Sequence, residues 1–341
     1  MKTAPPALEG VKAPSGPAYT PRLEDWYQRA TVRVKPRRIL REEEEMGKVY
    51  FSPDLLPFVH HPLLRERGPR IEREVLIRHL YHYLGFTCYL EHELVNIAAR
   101  RIAGRDTDFE LPPQMLFDAH KLYTDEGYHA LFSEDMKLQI VAATGVLPLR
   151  TGPPQFLRWL RRQQEGHPPE AAAILETFAA VVAETLISAT LVQLPRDERV
   201  VTAVRELVTD HAEDEAIHHH FFAALFRIAW PQLSARQREI VAPLLASFML
   251  EFLQPDLPSI RHNLAAAGLN PQETELVLAS SYPPDKVLDG IRRTARMTLR
   301  LFATCGLDAD PRAADAFTAA GLSLSAIPPL EKGDRVETTT R

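Results

Sequence analysis

The sequence predicts an all-α protein built around a four-helix bundle, and three observations carry that expectation. Four long stretches without internal proline repeat their apolar residues at three- and four-residue spacing, the period of a helix with one buried face. Prolines and glycines gather between those stretches, where helices begin and end. Alternating strand patterns are scarce, and no solenoid period is visible.

In chain order, residues 1–24 are rich in Pro, Ala and Gly but lack the continuous apolar core of a signal peptide, and read as a disordered arm. Residues 25–70 carry Pro36, Pro53, Pro57, Pro62 and Pro69 and read as a wrapping segment of extended pieces and short turns. Residues 71–306 are expected to form the helical domain. Its first helix is predicted from Ile71 to Arg101, ending near Gly104, and its second from Pro112 and Pro113 to about Gly145. The third runs from Pro168 and Pro169 to Pro195. The fourth is expected to start at once and reach Trp230, so that the link Leu194-Pro195-Arg196-Asp197 makes the two antiparallel neighbours. Further helices are predicted at Pro154–Gln164, Ala235–Leu253, Ser259–Ala267, Pro271–Ser280 and Lys286–Cys305, with Gly306 placed to cap the last. Residues 307–341 read as a partly disordered extension whose tail, from Glu331, frays.

At 341 residues and 45% hydrophobic composition the chain can bury a sizeable core. A net charge of −5 gives no electrostatic case for nucleic acid or an anionic membrane. The two cysteines, Cys88 and Cys305, can build neither a disulfide framework nor a thiolate metal site, and a cytoplasmic setting is expected. The most membrane-like stretch, Ala171–Leu194, contains Glu176 and Glu184, which reads as a buried helix of a soluble protein.

The informative residues are acids on apolar faces. Glu91 sits among Leu84, Thr87, Cys88, Leu94, Val95 and Ala98, whereas Glu93 lies roughly 200° away beside Asn96 and Arg100, at about 100° per residue. Glu184 lies among Ala180, Val181, Ile187 and Leu191. Glu176 competes with it but is nearer its helix start, where the dipole favours an acid. The second helix carries Glu126 and His129 in an E-x-x-H spacing. The fourth carries His211, Glu215 and His218 on one face, within about 60° of one another, including a second E-x-x-H. One lone glutamate and one E-x-x-H in each half is the ligand inventory of a carboxylate-bridged two-metal site in a bundle. Oxygen and imidazole donors suit iron or manganese, and four carboxylates balance two divalent ions. Taken singly, each acid has a bland reading as a paired core residue or a solvated face.

The chain also resembles the diiron arylamine N-oxygenases of the p-aminobenzoate N-oxygenase type, a ferritin-like group. The resemblance rests on His61-Pro62-Leu63, Glu91, Asp125-Glu126-Gly127-Tyr128-His129, Ala183-Glu184-Thr185 and the run from His211 through Asp214-Glu215 to His218, between about Phe51 and Leu307. It implies that Glu91, Glu126, His129, Glu184, His211, Glu215 and His218 bind two irons, with His211 as a third histidine beyond the six usual ligands. It further implies dioxygen as co-substrate, an external reductase or other electron donor, and oxidation of an amine through hydroxylamine and nitroso stages to a nitro group in natural-product biosynthesis. His219 and His220 do not match the motif.

No G-x-G-x-x-G or P-loop motif suggests a built-in nucleotide cofactor. Arg292, Arg296 and Arg300 share a late helix face that could hold a substrate carboxylate, although a solvated basic face explains them as simply. Glu42–Glu45 reads as solvated surface. The competing functions are a diiron or dimanganese oxidase acting on C–H bonds or peroxide, and a non-enzymatic helical protein; a homodimer is the expected assembly.

Overall fold

A computed structural model of the chain describes residues 18–41 and 47–325 and shows the expected all-α architecture; its one β-bridge among those residues joins Val49 to Val200. The acidic run Glu42–Glu45 and the tail from Glu331 lie outside the described residues. The bundle is made by α1 (Pro69–Leu90) with its continuation α2 (Asn96–Ala103), α3 (Pro113–Thr144), α5 (Pro169–Leu191) and α6 (Thr202–Ala229). Around it pack α4 (Gln155–Glu165), α7 (Ala235–Leu253), α8 (Leu257–Ala266), α9 (Pro271–Ser281), α10 (Pro284–Thr304) and α11 (Pro311–Ala319). Proline opens α1, α3, α5, α9, α10 and α11, where its missing N–H costs nothing and its φ suits the first turn. Gly145 (φ +69°) and Gly306 (φ +82°) close α3 and α10 in the left-handed conformation that a Cβ disfavours.

Two boundaries differ from the sequence expectation. The first helix is not continuous to Arg101, because a π turn, Glu91–Val95, is inserted between α1 and α2. Apolar periodicity cannot show it, since one extra residue in a wider turn leaves the flanking patterns intact. The fourth helix does not start at once either. After α5 the chain makes a 3-10 turn, Leu194–Arg196, and α6 begins only at Thr202, because Asp197–Val201 form a clip with the N-terminal segment. Val201 N–H donates to the Val49 carbonyl and Val49 N–H to the Arg199 carbonyl, Ser52 Oγ donates to Asp197 at 2.5 Å, and Arg199 bridges Asp197 and Asp54. The helices are nonetheless antiparallel neighbours. His219 bonds to the backbone of Thr185 while Phe226 packs on Phe178 at 5.2 Å, so contacts run backward along one helix as they run forward along the other.

Of the arm expected to be disordered to residue 24, Tyr19 donates to Asp118 (2.8 Å) and Leu23 is buried, its carbonyl accepting from Lys121 (2.7 Å); residues 1–17 lie outside the described residues. The following segment crosses the α3–α6 groove as a strap, with Arg37 on Asp135 and Arg38 on Asp210. Within this stretch Thr177 through Ile187 are buried as expected, with Ala179 through Ala183 fully inaccessible. Ala235–Ala266 contains an 18-residue window with a mean hydropathy of 1.3, long and apolar enough for a membrane span, but the stretch is two helices, α7 and α8, that turn apolar faces to the bundle.

The Asp197 clip yields a prediction. The Arg199 guanidinium holds the Asp197 carboxyl well below its ordinary range, so this group contributes stability above the unfolded pKa of ~3.9 that is lost as pH falls through the folded value. Asp197→Asn should destabilise the fold by about 1–2 kcal/mol at neutral pH, read by denaturant unfolding. The gap between variant and parent should shrink as the pH is lowered below about 4.

Candidate metal centre

Four helices aim seven side chains at one point in the bundle. Glu91 opens the π turn, Glu126 and His129 come from α3, Glu184 from α5, and His211, Glu215 and His218 from α6; none is more than 1% exposed. Three overlapping groups have donor atoms all within 4.8 Å of one another. They are Glu91, His129, His211 and Glu215; then Glu126, His129, Glu215 and His218; then Glu91, Glu126 and Glu184. Glu91, Glu126 and Glu215 each belong to two groups, the position of a carboxylate able to span two ions.

The geometry inside the cluster is tight. His129 Nδ1 lies 2.7 Å from Glu126 and 3.3 Å from Glu215, His218 Nδ1 lies 2.8 Å from Glu126 and 3.4 Å from Glu215, and His211 Nε2 lies 3.2 Å from Glu215. Both oxygens of Glu91 and both of Glu184 are buried without a hydrogen-bond partner. Burial, reinforced by the carboxylates of Glu126 and Glu215, pushes Glu91 and Glu184 well above the ordinary glutamate range. Unpartnered carboxylates in a dry interior are costly, so this donor set fits cations held among four carboxylates and three imidazoles.

Two acids that sequence reasoning passed over complete the site. His129 Nε2 faces Asp214 at 3.2 Å, and His218 Nε2 faces Asp125 at 3.3 Å. The pairing is crossed, because the aspartate next to each E-x-x-H glutamate serves the histidine of the other helix. Each aspartate is tied in turn to the strap. Trp26 Nε1 donates to both oxygens of Asp125 (2.9 and 2.8 Å), and Thr31 Oγ1 donates to Asp214 at 2.5 Å. The signal was present as the doublets Asp125-Glu126 and Asp214-Glu215, but adjacent helical residues point about 100° apart, and nothing in one helix shows that its neighbour supplies the partner. Phe132 packs against both His129 and His211, at 5.3 and 5.8 Å between ring centroids.

The remaining candidates fall outside the cluster. Glu93 is exposed and pairs with Arg161 (2.9 Å), and Glu176 accepts from Gln164 beside Arg101. His219 is half-buried and His220 exposed. His61 caps the turn Pro62–Arg65, its Nδ1 accepting from Leu63 N. On α10, Arg292 is half-exposed and donates to the Gly321 carbonyl (2.7 Å) and Asp289 (3.0 Å), while Arg296 and Arg300 have partners of their own.

The sequence matches the p-aminobenzoate N-oxygenase AurF family over residues 35–305, which takes in the bundle, the strap's latter part and all seven clustered residues. It is 24% identical over 255 residues to the 4-aminobenzoate N-oxygenase of Streptomyces thioluteus, covering 73% of this chain and 75% of that protein. The chain therefore belongs to the p-aminobenzoate N-oxygenase family and is an oxidoreductase of the N-oxygenase type.

Proposed function

We propose that the protein is a diiron N-oxygenase in which Glu91, Glu126, His129, Glu184, His211, Glu215 and His218 hold two irons. The observation that carries this reading is the convergence of seven fully buried donors from four helices, with Glu91 and Glu184 lacking any hydrogen-bond partner. A bound iron pair, reduced by an external electron donor, supplies the activation of dioxygen. The substrate class is an arylamine, oxidised at nitrogen through hydroxylamine and nitroso stages to a nitro group.

The chain's own part is positioning and exclusion of water. A carboxylate only accepts, so Asp214 and Asp125 fix the proton of His129 and His218 on Nε2 and turn the Nδ1 lone pair toward the cluster. Trp26 and Thr31 hold those aspartates, so the strap sets the aim of two ligand imidazoles. Phe132 and the apolar faces of α1, α3, α5 and α6 keep solvent out, which strengthens every interaction with a charged centre.

Reconstitution with Fe(II), followed by dioxygen and a panel of arylamines, should give products heavier by oxygen in mass spectrometry, and elemental analysis should give about two irons per chain. Absence of stoichiometric iron would refute the diiron reading. Glu126→Ala or Glu215→Ala should remove metal and activity together, and a variant that kept both irons would refute the ligand assignment. His211→Ala should retain iron on the other six ligands yet oxidise amine more slowly. Unchanged amine oxidation in that variant would make His211 a bystander. Asp125→Asn or Asp214→Asn should leave the helical content intact and weaken iron binding roughly 10- to 100-fold in a chelator competition.

A further inference from the structure

The polarity of α3 is reversed with respect to solvent. Asp118, Lys121, Asp125, Glu126 and His129 are all buried, whereas Phe117, Tyr123, Leu131 and Leu138 are 47–63% exposed. A surface helix ordinarily turns its charged residues to water and its apolar stripe to the core. From Gln114 to Leu138 the exposed positions of α3 include only one Asp, Glu, Lys or Arg, which is Glu134. At about 100° per residue, Phe117, His120, Tyr123, Gly127, Leu131, Glu134 and Leu138 fall within roughly 120° of one another, so they form one stripe.

The strap continues this surface. Its Tyr27, Val34 and Ile39 are 46–52% exposed, and Leu131 shares a cavity of about 230 Å³ with Pro36 and Arg37. Arg37 and Arg38 are bound pairwise by Asp135 and Asp210, so the cavity adds no unpaired charge. Of the ten large apolar side chains exposed among the described residues, seven belong to α3 or the strap. Exposed apolar surface is therefore gathered on one side of the molecule, a distribution that marks a contact surface.

The order of the stripe indicates what covers it. Gly127 stands at its middle, with Tyr123 and Leu131 four residues to either side and His120 and Glu134 seven to either side. Phe117 lies ten residues before it and Leu138 eleven after. The stripe thus reads nearly alike in both directions. A second α3 laid antiparallel across it sets apolar ends on apolar ends and brings each His120 to the other chain's Glu134, a donor opposite a carboxylate. Gly127 is an independent observation, since glycine in a helix interior costs about 1 kcal/mol and a Cβ built there would meet nothing within 4 Å of this chain. At a crossing point between copies it lets two backbones approach.

We propose that the outer face of α3 is the interface with a second copy of this chain, packed antiparallel about a two-fold axis near Gly127, with His120 of each copy against Glu134 of the other. From Phe117 to Leu138 the seam is about 32 Å long at 1.5 Å per residue. With the strap alongside, its area is of the order of the ~800 Å² per partner that a standard interface buries. The proposal stands on this face and is independent of the metal assignment.

Sedimentation equilibrium of the full-length, iron-loaded protein tests it. The parent should have twice the chain mass, and Leu131→Glu, an exposed substitution, should have the single-chain mass with unchanged helical content by circular dichroism. His120→Glu, which sets two carboxylates against each other, should raise the dimer dissociation constant about ten-fold or more. Adding Glu134→Arg to His120→Glu should restore most of the lost affinity, which only a direct contact between the two positions on different copies explains. A parent of single-chain mass would overturn the proposal, as would a dimer that survives Leu131→Glu or a double variant that associates no better than His120→Glu alone. A single-chain parent that floats with phosphatidylcholine vesicles would assign the face to lipid instead and would equally overturn it.

Discussion

The constraint on which this structure depends is the burial of four carboxylates and three imidazoles in a helical interior from which water is excluded. In such a medium an unpaired carboxylate resists ionisation, and several together repel one another. Everything around the cluster is arranged either to compensate that charge or to keep its geometry. Glu126 and Glu215 lie against imidazoles, whereas Glu91, from the π turn after α1, and Glu184, from α5, have no hydrogen-bond partner.

That arrangement explains why the proline-rich segment ahead of the bundle is more than a covering. A histidine ligand is only as well aimed as the group on its other nitrogen. Here those groups are Asp125 and Asp214, exchanged between α3 and α6, and they are anchored by Trp26 and Thr31. The strap is itself fastened by Arg37 on Asp135 and Arg38 on Asp210, so the N-terminal segment and the two E-x-x-H helices form one hydrogen-bonded unit. Crossing the aspartates also couples α3 to α6: neither imidazole can reorient without disturbing the opposite helix.

The first bundle helix serves two neighbourhoods with opposite faces. Toward the centre its register is interrupted by the π turn that begins at Glu91, a local widening of the kind found where a helix must present a functional group. Away from the centre it presents Arg78, Gly85 and Tyr89 to a cationic, aromatic-walled cavity. The helix thus turns one face to the buried carboxylates and the other to that cavity.

The sequence by itself determined the helical class, most helix boundaries and the seven clustered residues, because these depend on period and spacing within single helices. Glu91 and Glu184 stand out as acids on apolar stripes, and each E-x-x-H stacks its two groups one turn apart whatever the helix packs against. Glu93, one turn's fraction away, was separable from Glu91 by angle alone and is exposed in the fold. What only the tertiary structure decided involves partners distant in the chain. The bonds from Trp26 to Asp125 and from Thr31 to Asp214 join positions whose proximity no local period encodes. The delay of α6 to Thr202 follows from the Val49 and Ser52 contacts across the fold, and Arg292 finds its carbonyl at Gly321 only because the chain turns back after α10. Local periodicity fixes which face a residue occupies; packing alone fixes what that face meets.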